Sequence, residues 1–176
     1  MRTVGGVLVL VVGLAAVGCG DSLATLNGLA ASGAIHEDAP VTAHVQIEIA
    51  APPAKVWSLL VDAPTWPRWE SQIESVSATG PLAEGTSFVW SNGGTTIHSQ
   101  VQLFEPERRL GWTGTAMTAK AAHVWELKPV GDGQTLVTMK ESMDGPLMAR
   151  LYSSQKLADA GSQWLAALKR AAEARP

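Results

Sequence analysis

Residues 122–141 read AHVWELKPVGDGQTLVTMKE, two alternating apolar runs about the triplet Gly131-Asp132-Gly133. A three-residue loop through that triplet pairs Val130 with Gln134, and then places Leu127 opposite Val137, Trp125 opposite Met139 and His123 opposite Glu141. All six side chains then share one side of the sheet. A two-residue loop would set Trp125 against Lys140 and break the apolar face. Because a one-residue slip inverts every side chain, the three-residue loop is the expected register.

The same counting extends upstream. Across Glu105–Arg108 it pairs Leu103 with Leu110 and Val101 with Trp112, and across Gly93-Gly94 it pairs Trp90 with Ile97 and Phe88 with Ser99. The expected inner face therefore carries Phe88, Trp90, Ile97, Val101, Leu103, Trp112, Trp125 and Met139, while His98, Gln100 and Gln102 fall on the opposite face. The strand-like runs lie near 73–79, 86–91, 95–104, 109–117, 121–130 and 134–141, separated by Gly, Pro and Asn breaks that suit antiparallel hairpins. Ahead of them, 41–50 alternates as a strand, Pro52-Pro53 opens a short helix and Thr65–Trp69 a second, very short one. Behind them, Asp144-Gly145-Pro146 opens a long helix in which Leu151, Ala158, Gly161, Leu165 and Leu168 recur at helical spacing. The layout is one strand, two short helices, a six-strand antiparallel meander and one long helix. A single sheet must bury its apolar face, and only the last helix is long enough to cover it.

The chain of 176 residues carries a formal net charge of −3 and no basic run, which argues against nucleic acid or an anionic membrane surface as the main partner. The aromatic share is lopsided, with seven Trp against two Phe and one Tyr; Trp suits the wall of an apolar cavity with one wet end. Cys19 is the single cysteine, so no internal disulfide and no zinc site is expected. Residues 1–18 read as an export signal: Arg2, then a Val/Leu/Gly run from Val4 to Leu14, then small residues. Ala16-Val17-Gly18-Cys19 resembles the lipobox of bacterial lipoproteins, whose cysteine is acylated. It departs from that pattern at Ala16, where Leu, Val or Ile is usual, so plain secretion and an uncleaved anchor remain alternatives. Residues 19–40 are small and polar and read as a flexible tether to a domain over 41–176. The expected location is the cell envelope.

The stretch APPAKVWSLLVDAPTWPRW at 51–69 resembles the opening of the START-like, or SRPBCC, superfamily, and in particular its polyketide cyclase/dehydrase-like branch. Gly80-Pro81-Leu82, Leu110-Gly111-Trp112, Leu127-Lys128-Pro129 and Glu141 before Gly145 continue the likeness over residues 43–172. The resemblance implies an α+β helix-grip fold with a cavity between sheet and helix. It says little of chemistry, since members of the superfamily include binders, lipid carriers and a few enzymes.

The expected ligand-contacting set is Trp69, Trp90, Val101, Trp112, His123, Trp125, Met139 and Glu141. Trp57 and Trp164 are expected to pack in the core, and Trp66 and Trp69 to pack or to border the cavity mouth. His123 and Glu141 are the exception on an apolar wall, readable as a structural hydrogen bond, a polar anchor for a ligand or a proton-transfer couple. No phosphate loop, nucleophile elbow or zinc-protease motif occurs, and no cofactor or metal is expected. The reading is a non-enzymatic binder or carrier of a small hydrophobic molecule or lipid, membrane-bound through acylated Cys19. The alternatives are a cyclase or dehydratase using His123 and Glu141, and an envelope module with a protein partner.

Overall fold

Ser22 accepts a hydrogen bond from the Thr25 amide and opens helix α1, Leu23–Ser32, which ends at Gly33 in the left-handed region at φ 79°. The computed structural model describes residues 22–174, so the expected signal and Cys19 lie outside the described residues. The expectation of a flexible tether does not hold for 23–32. Leu26 and Ala30, with Ile35 beyond the helix, are buried against Ala122 and Val124 on the convex face of the sheet. Gly111 lets the helix approach, since a Cβ there would stand 3.0 Å from the Ala30 carbonyl oxygen. Polar groups fasten the same segment: the Thr113 hydroxyl donates to Asn27 Oδ1 at 2.7 Å, and Arg109 Nη1 and Lys140 Nζ donate to the Ser32 and Gly33 carbonyls at 3.1 and 3.2 Å. His36 Nδ1 lies 3.0 Å from the buried carboxylate of Asp144. Truncating the wholly buried Leu26 to Ala should cost about 3 kcal/mol. A chemical-denaturation midpoint that did not move would mean that the segment does not stabilise the domain.

Strand β1 (Val41–Ile49) leads into helix α2 (Pro53–Val61), a 3-10 helix at Ala63–Arg68, and then strands β2 (Ile73–Ser77), β3 (Ser87–Asn92), β4 (Thr95–Glu105), β5 (Arg109–Ala116), β6 (Ala119–Pro129) and β7 (Thr135–Asp144). They form one seven-stranded sheet in the order β1-β7-β6-β5-β4-β3-β2, with antiparallel pairing throughout. The last hairpin has the register read from 122–141, with His123 opposite Glu141, Trp125 opposite Met139 and Leu127 opposite Val137. Trp90 meets Ile97 and Phe88 meets Ser99. Between β4 and β5 the expectation is half right. Val101 faces Trp112, but Leu103 faces Gly111 and Phe104 faces Leu110, because the register shifts between Val101 and Leu103. A bulge adds a residue to one strand and reverses alternation beyond it. Leu103 thus leaves the inner face for the side of Gly33, and Phe104 turns inward to meet Trp57 at a ring separation of 5.1 Å.

The closing helix begins later than Pro146. Met148–Leu151 forms a single turn (α3), Tyr152 is extended, and the long helix α4 runs Ser154–Glu173 with the Ser153 side chain capping the Lys156 amide. A serine cap fixes the start of a helix more firmly than a proline several residues upstream. Helix α4 lies against β1 and β7. Gly161 is the point of closest approach: a Cβ there would collide with Met139 and stand 3.1 Å from Val45 Cγ2. The fold is the expected α+β helix-grip arrangement, a long C-terminal helix over a concave antiparallel sheet.

Candidate ligand-binding site

Trp66 occupies the middle of the space between sheet and helix. It is placed by the 3-10 helix, whose Pro64 and Pro67 restrict the chain, and its Nε1–H donates to the Leu60 carbonyl at 3.1 Å. Around it stand Trp164 at 5.4 Å, Trp112 at 5.8 Å, Phe88 at 5.9 Å and Trp90 at 6.0 Å between ring centroids. These are the edge-on and tilted separations at which aromatic pairs attract. Trp66 is 0% exposed, so it neither borders a mouth nor contributes to a surface patch.

The aromatic block fills one part of the concave space and leaves the rest open. A cleft of about 470 Å³ remains at the end of the sheet where the β3–β4 and β5–β6 turns lie, within the size range of small-molecule sites. Trp90, Trp112 and Met139 line it from the sheet, Trp164, Gly161 and Leu157 from α4, and Met148, Leu151 and Tyr152 from the segment before α4. Of the residues expected to contact a ligand, Trp90, Trp112, His123, Met139 and Glu141 are in its wall. Val101, Trp125 and Trp69 are not: Val101 and Trp125 are buried in the packed core, and half-buried Trp69 packs against that core. Facing inward was necessary for lining the cleft but not sufficient, because position along the strand decides which side of the Trp66 block a residue meets.

Among the polar residues of the wall, which include Glu70, Lys120 and Gln163, is the expected pair. His123 Nδ1 lies 3.2 Å from Glu141 Oε2, with side-chain exposures of 3% and 19%. The imidazole stacks on Trp112 at 4.4 Å with 14° between planes. A carboxylate at Nδ1 holds the ring proton there and leaves Nε2 as an acceptor when the ring is neutral. That Nε2 is buried without a hydrogen-bond partner, and so is Trp164 Nε1–H; the two rings are 5.5 Å apart. Buried polar groups are normally paired, and an orphan costs stability. The cleft thus pairs an acceptor with a donor, the complement of a hydroxyl or amide. Tyr152 adds a donor nearer the opening, its phenol held above the usual range by burial and then by the negative charges of Glu141 and Asp159. The sequence pattern points Trp164 to core packing and gives no signal for Tyr152. Trp164 sits on the buried face of α4 and fits the core pattern equally well, so its lining role had no separate signal. Among the described residues, no three His, Cys, Asp or Glu side chains converge as a metal site would require.

Comparison with known proteins agrees with this architecture. Residues 40–173 match the family model described as polyketide cyclase / dehydrase and lipid transport. An uncharacterised protein of Mycobacterium tuberculosis (strain ATCC 25618 / H37Rv) is 26% identical over 148 residues, covering 79% of this chain and 89% of that protein. Among solved structures, a hypothetical protein from Helicobacter pylori superposes with a TM-score of 0.71 at 18% identity, covering 78% of this chain and 90% of its own. The Zhui aromatase/cyclase from Streptomyces sp. R1128 gives a TM-score of 0.60 at 16% identity, over 75% of this chain and 94% of its own. A START superfamily protein from Mycobacterium smegmatis gives 0.57 at 15% identity, over 74% and 92%. At such identities these structures establish the shared fold. With its sheet, gripping helix and inner cleft all inside residues 40–173, the chain belongs to the polyketide cyclase/dehydrase and lipid transport family.

Proposed function

We propose that the protein binds and carries a small amphipathic molecule at the bacterial cell envelope, held there by an acylated Cys19. The observation that carries this reading is the conjunction in one cleft of mainly apolar walls with two buried, unpartnered polar atoms, His123 Nε2 and Trp164 Nε1. The apolar walls would take a hydrocarbon or aromatic body, and the two ring nitrogens a hydroxyl or amide head. Binding is preferred to catalysis because a positioned His–Glu pair within aromatic walls accounts for recognition by itself, whereas chemistry needs further groups about a reacting atom. The Ala16-Val17-Gly18-Cys19 sequence supports export and lipidation.

The test is native mass spectrometry with tryptophan-fluorescence titration against phospholipids, fatty acids and aromatic polyketides, on the native protein and on His123→Phe. A phenyl ring keeps the stack on Trp112 and removes the orphaned nitrogen. Stability should fall by about 1–3 kcal/mol, because the part-buried Glu141 carboxylate loses its partner at 3.2 Å. Affinity for a hydroxyl-bearing ligand should fall about tenfold, the worth of one hydrogen bond in a dry site. Unaltered affinity in His123→Phe would remove the anchor role, and no binding to any of the three ligand classes would remove the carrier.

A further inference from the structure

The large apolar side chains that the fold leaves exposed gather at one end of the molecule. Among the described residues they are Met117 at 92% exposure, Leu151 at 62%, Leu147 at 47% and Leu23 at 38%. Met117 is the tip of the turn joining β5 to β6, and Leu147 and Leu151 follow β7 where it leaves the sheet. These two segments adjoin: Lys120 pairs with Asp144 in the sheet, and a Cβ on Gly145 would stand 3.0 Å from the Thr118 carbonyl oxygen. Met117 and Leu151 are both at the opening of the cleft. Helix α1 runs antiparallel to β5, with Ala30 beside Gly111 and Asn27 beside Thr113. Its first residue, Leu23, therefore reaches the level of Thr115, toward that same end.

We infer that this end is a membrane-docking surface, on which Met117, Leu147 and Leu151 enter the interfacial layer of an anionic bilayer and the cleft opens onto it. Two further observations choose a bilayer over other occupants. The first is charge. Segments 116–120 and 145–156 carry Lys120, Arg150 and Lys156 and no carboxylate, in a chain whose net charge is −3. Basic residues beside a negative lipid surface each strengthen binding by about fivefold, and apolar side chains among them supply the buried area of an interfacial anchor. The second is the chain outside the described residues. Two residues, Gly20 and Asp21, separate Cys19 from the capping Ser22, a covalent reach of at most about 11 Å over three Cα–Cα steps. Helix α1, clamped to the convex face, therefore determines which end of the domain an acyl group on Cys19 holds to the membrane, and it is the end with the cleft. This rests on the anchor part of the function proposed above, not on the identity of the ligand.

The full-length lipoprotein, reconstituted in vesicles of phosphatidylcholine with 30% phosphatidylglycerol (about a third anionic), would be followed by flotation and amide hydrogen exchange. Docking is expected to slow exchange severalfold at 116–120 and 147–152, while the Gly131–Gly133 turn at the opposite end exchanges as freely as before. Met117→Glu with Leu151→Glu should abolish that protection and leave flotation intact. The comparison of the two turns within the unsubstituted protein stands even if the double variant folds poorly. Flotation with both turns equally open would overturn docking while leaving the anchor standing; failure to float would overturn both. Ligand binding in solution is read separately and survives either outcome.

Discussion

Trp66→Ala is expected to lower the stability of this protein by about 4 kcal/mol, the upper range for a large core aromatic replaced by alanine. The melting temperature of a domain of this size should fall by roughly 8–16 °C. Trp66 is 0% exposed, touches Phe88, Trp90, Trp112 and Trp164, and is pinned through its indole N–H to Leu60. Its rigid neighbours belong to two different strands, β3 and β5, and to α4, so collapse around the vacancy requires the sheet and the helix to move together. The measurement is calorimetric or by chemical denaturation. A loss below about 1 kcal/mol, the level of an ordinary surface change, would mean that the aromatic block is not the keystone of the core.

Ala121→Trp is expected to weaken ligand binding by about 100-fold while leaving the melting temperature within about 4 °C. Ala121 stands two residues before His123 on β6, opposite Gly114 and Met143, in the wall of the cleft. An indole there would occupy volume that a ligand must otherwise fill. Displacing three or four methylene-sized groups at about 0.8 kcal/mol each accounts for the factor. Little strain should follow, because the added side chain enters open space rather than a packed interior. Ala160→Trp would obstruct the same cleft from α4, so a folding defect in one variant does not leave the question open. Full affinity in both would place the ligand elsewhere.

Much of the architecture was legible because hairpin register is a local problem. Gly131-Asp132-Gly133 and Gly93-Gly94 set loop lengths, and alternation on either side then admits one pairing, so His123 could be placed against Glu141 by counting. The errors were also physical. The bulge at Leu103 could not be counted, because a local insertion in one strand leaves the apolar pattern readable on either side of it. Helix α1 looked like a tether because Leu26 and Ala30 form only a narrow apolar stripe among Ala, Gly, Ser and Thr. What stabilises it is the waiting surface of Ala122 and Val124 and the hydrogen bonds from Arg109, Lys140 and Thr113, none of them near in sequence. Lys120 in the cleft wall and Arg150 in the turn before α4 likewise come from two separate segments, so no basic run marks them in the sequence.

Apart from Leu103 and Phe104 beyond the bulge in β4, the sequence alone determined which residues of the hairpins face the interior: alternation within a strand and spacing within a helix are properties of a few consecutive residues. Only the tertiary structure decided which of those residues pack and which line a space. Trp125 and Trp112 have the same parity on neighbouring strands, yet one is sealed in the core and the other borders the cleft. Trp125 is covered by Trp164 of α4, whereas Trp112 meets Trp66, brought in from the 3-10 helix between α2 and β2, and still reaches the open space. Gly161 sets where α4 settles on Met139 and Val45. Volume is shared among elements distant along the chain, so where it is filled and where it stays open is set when they pack together.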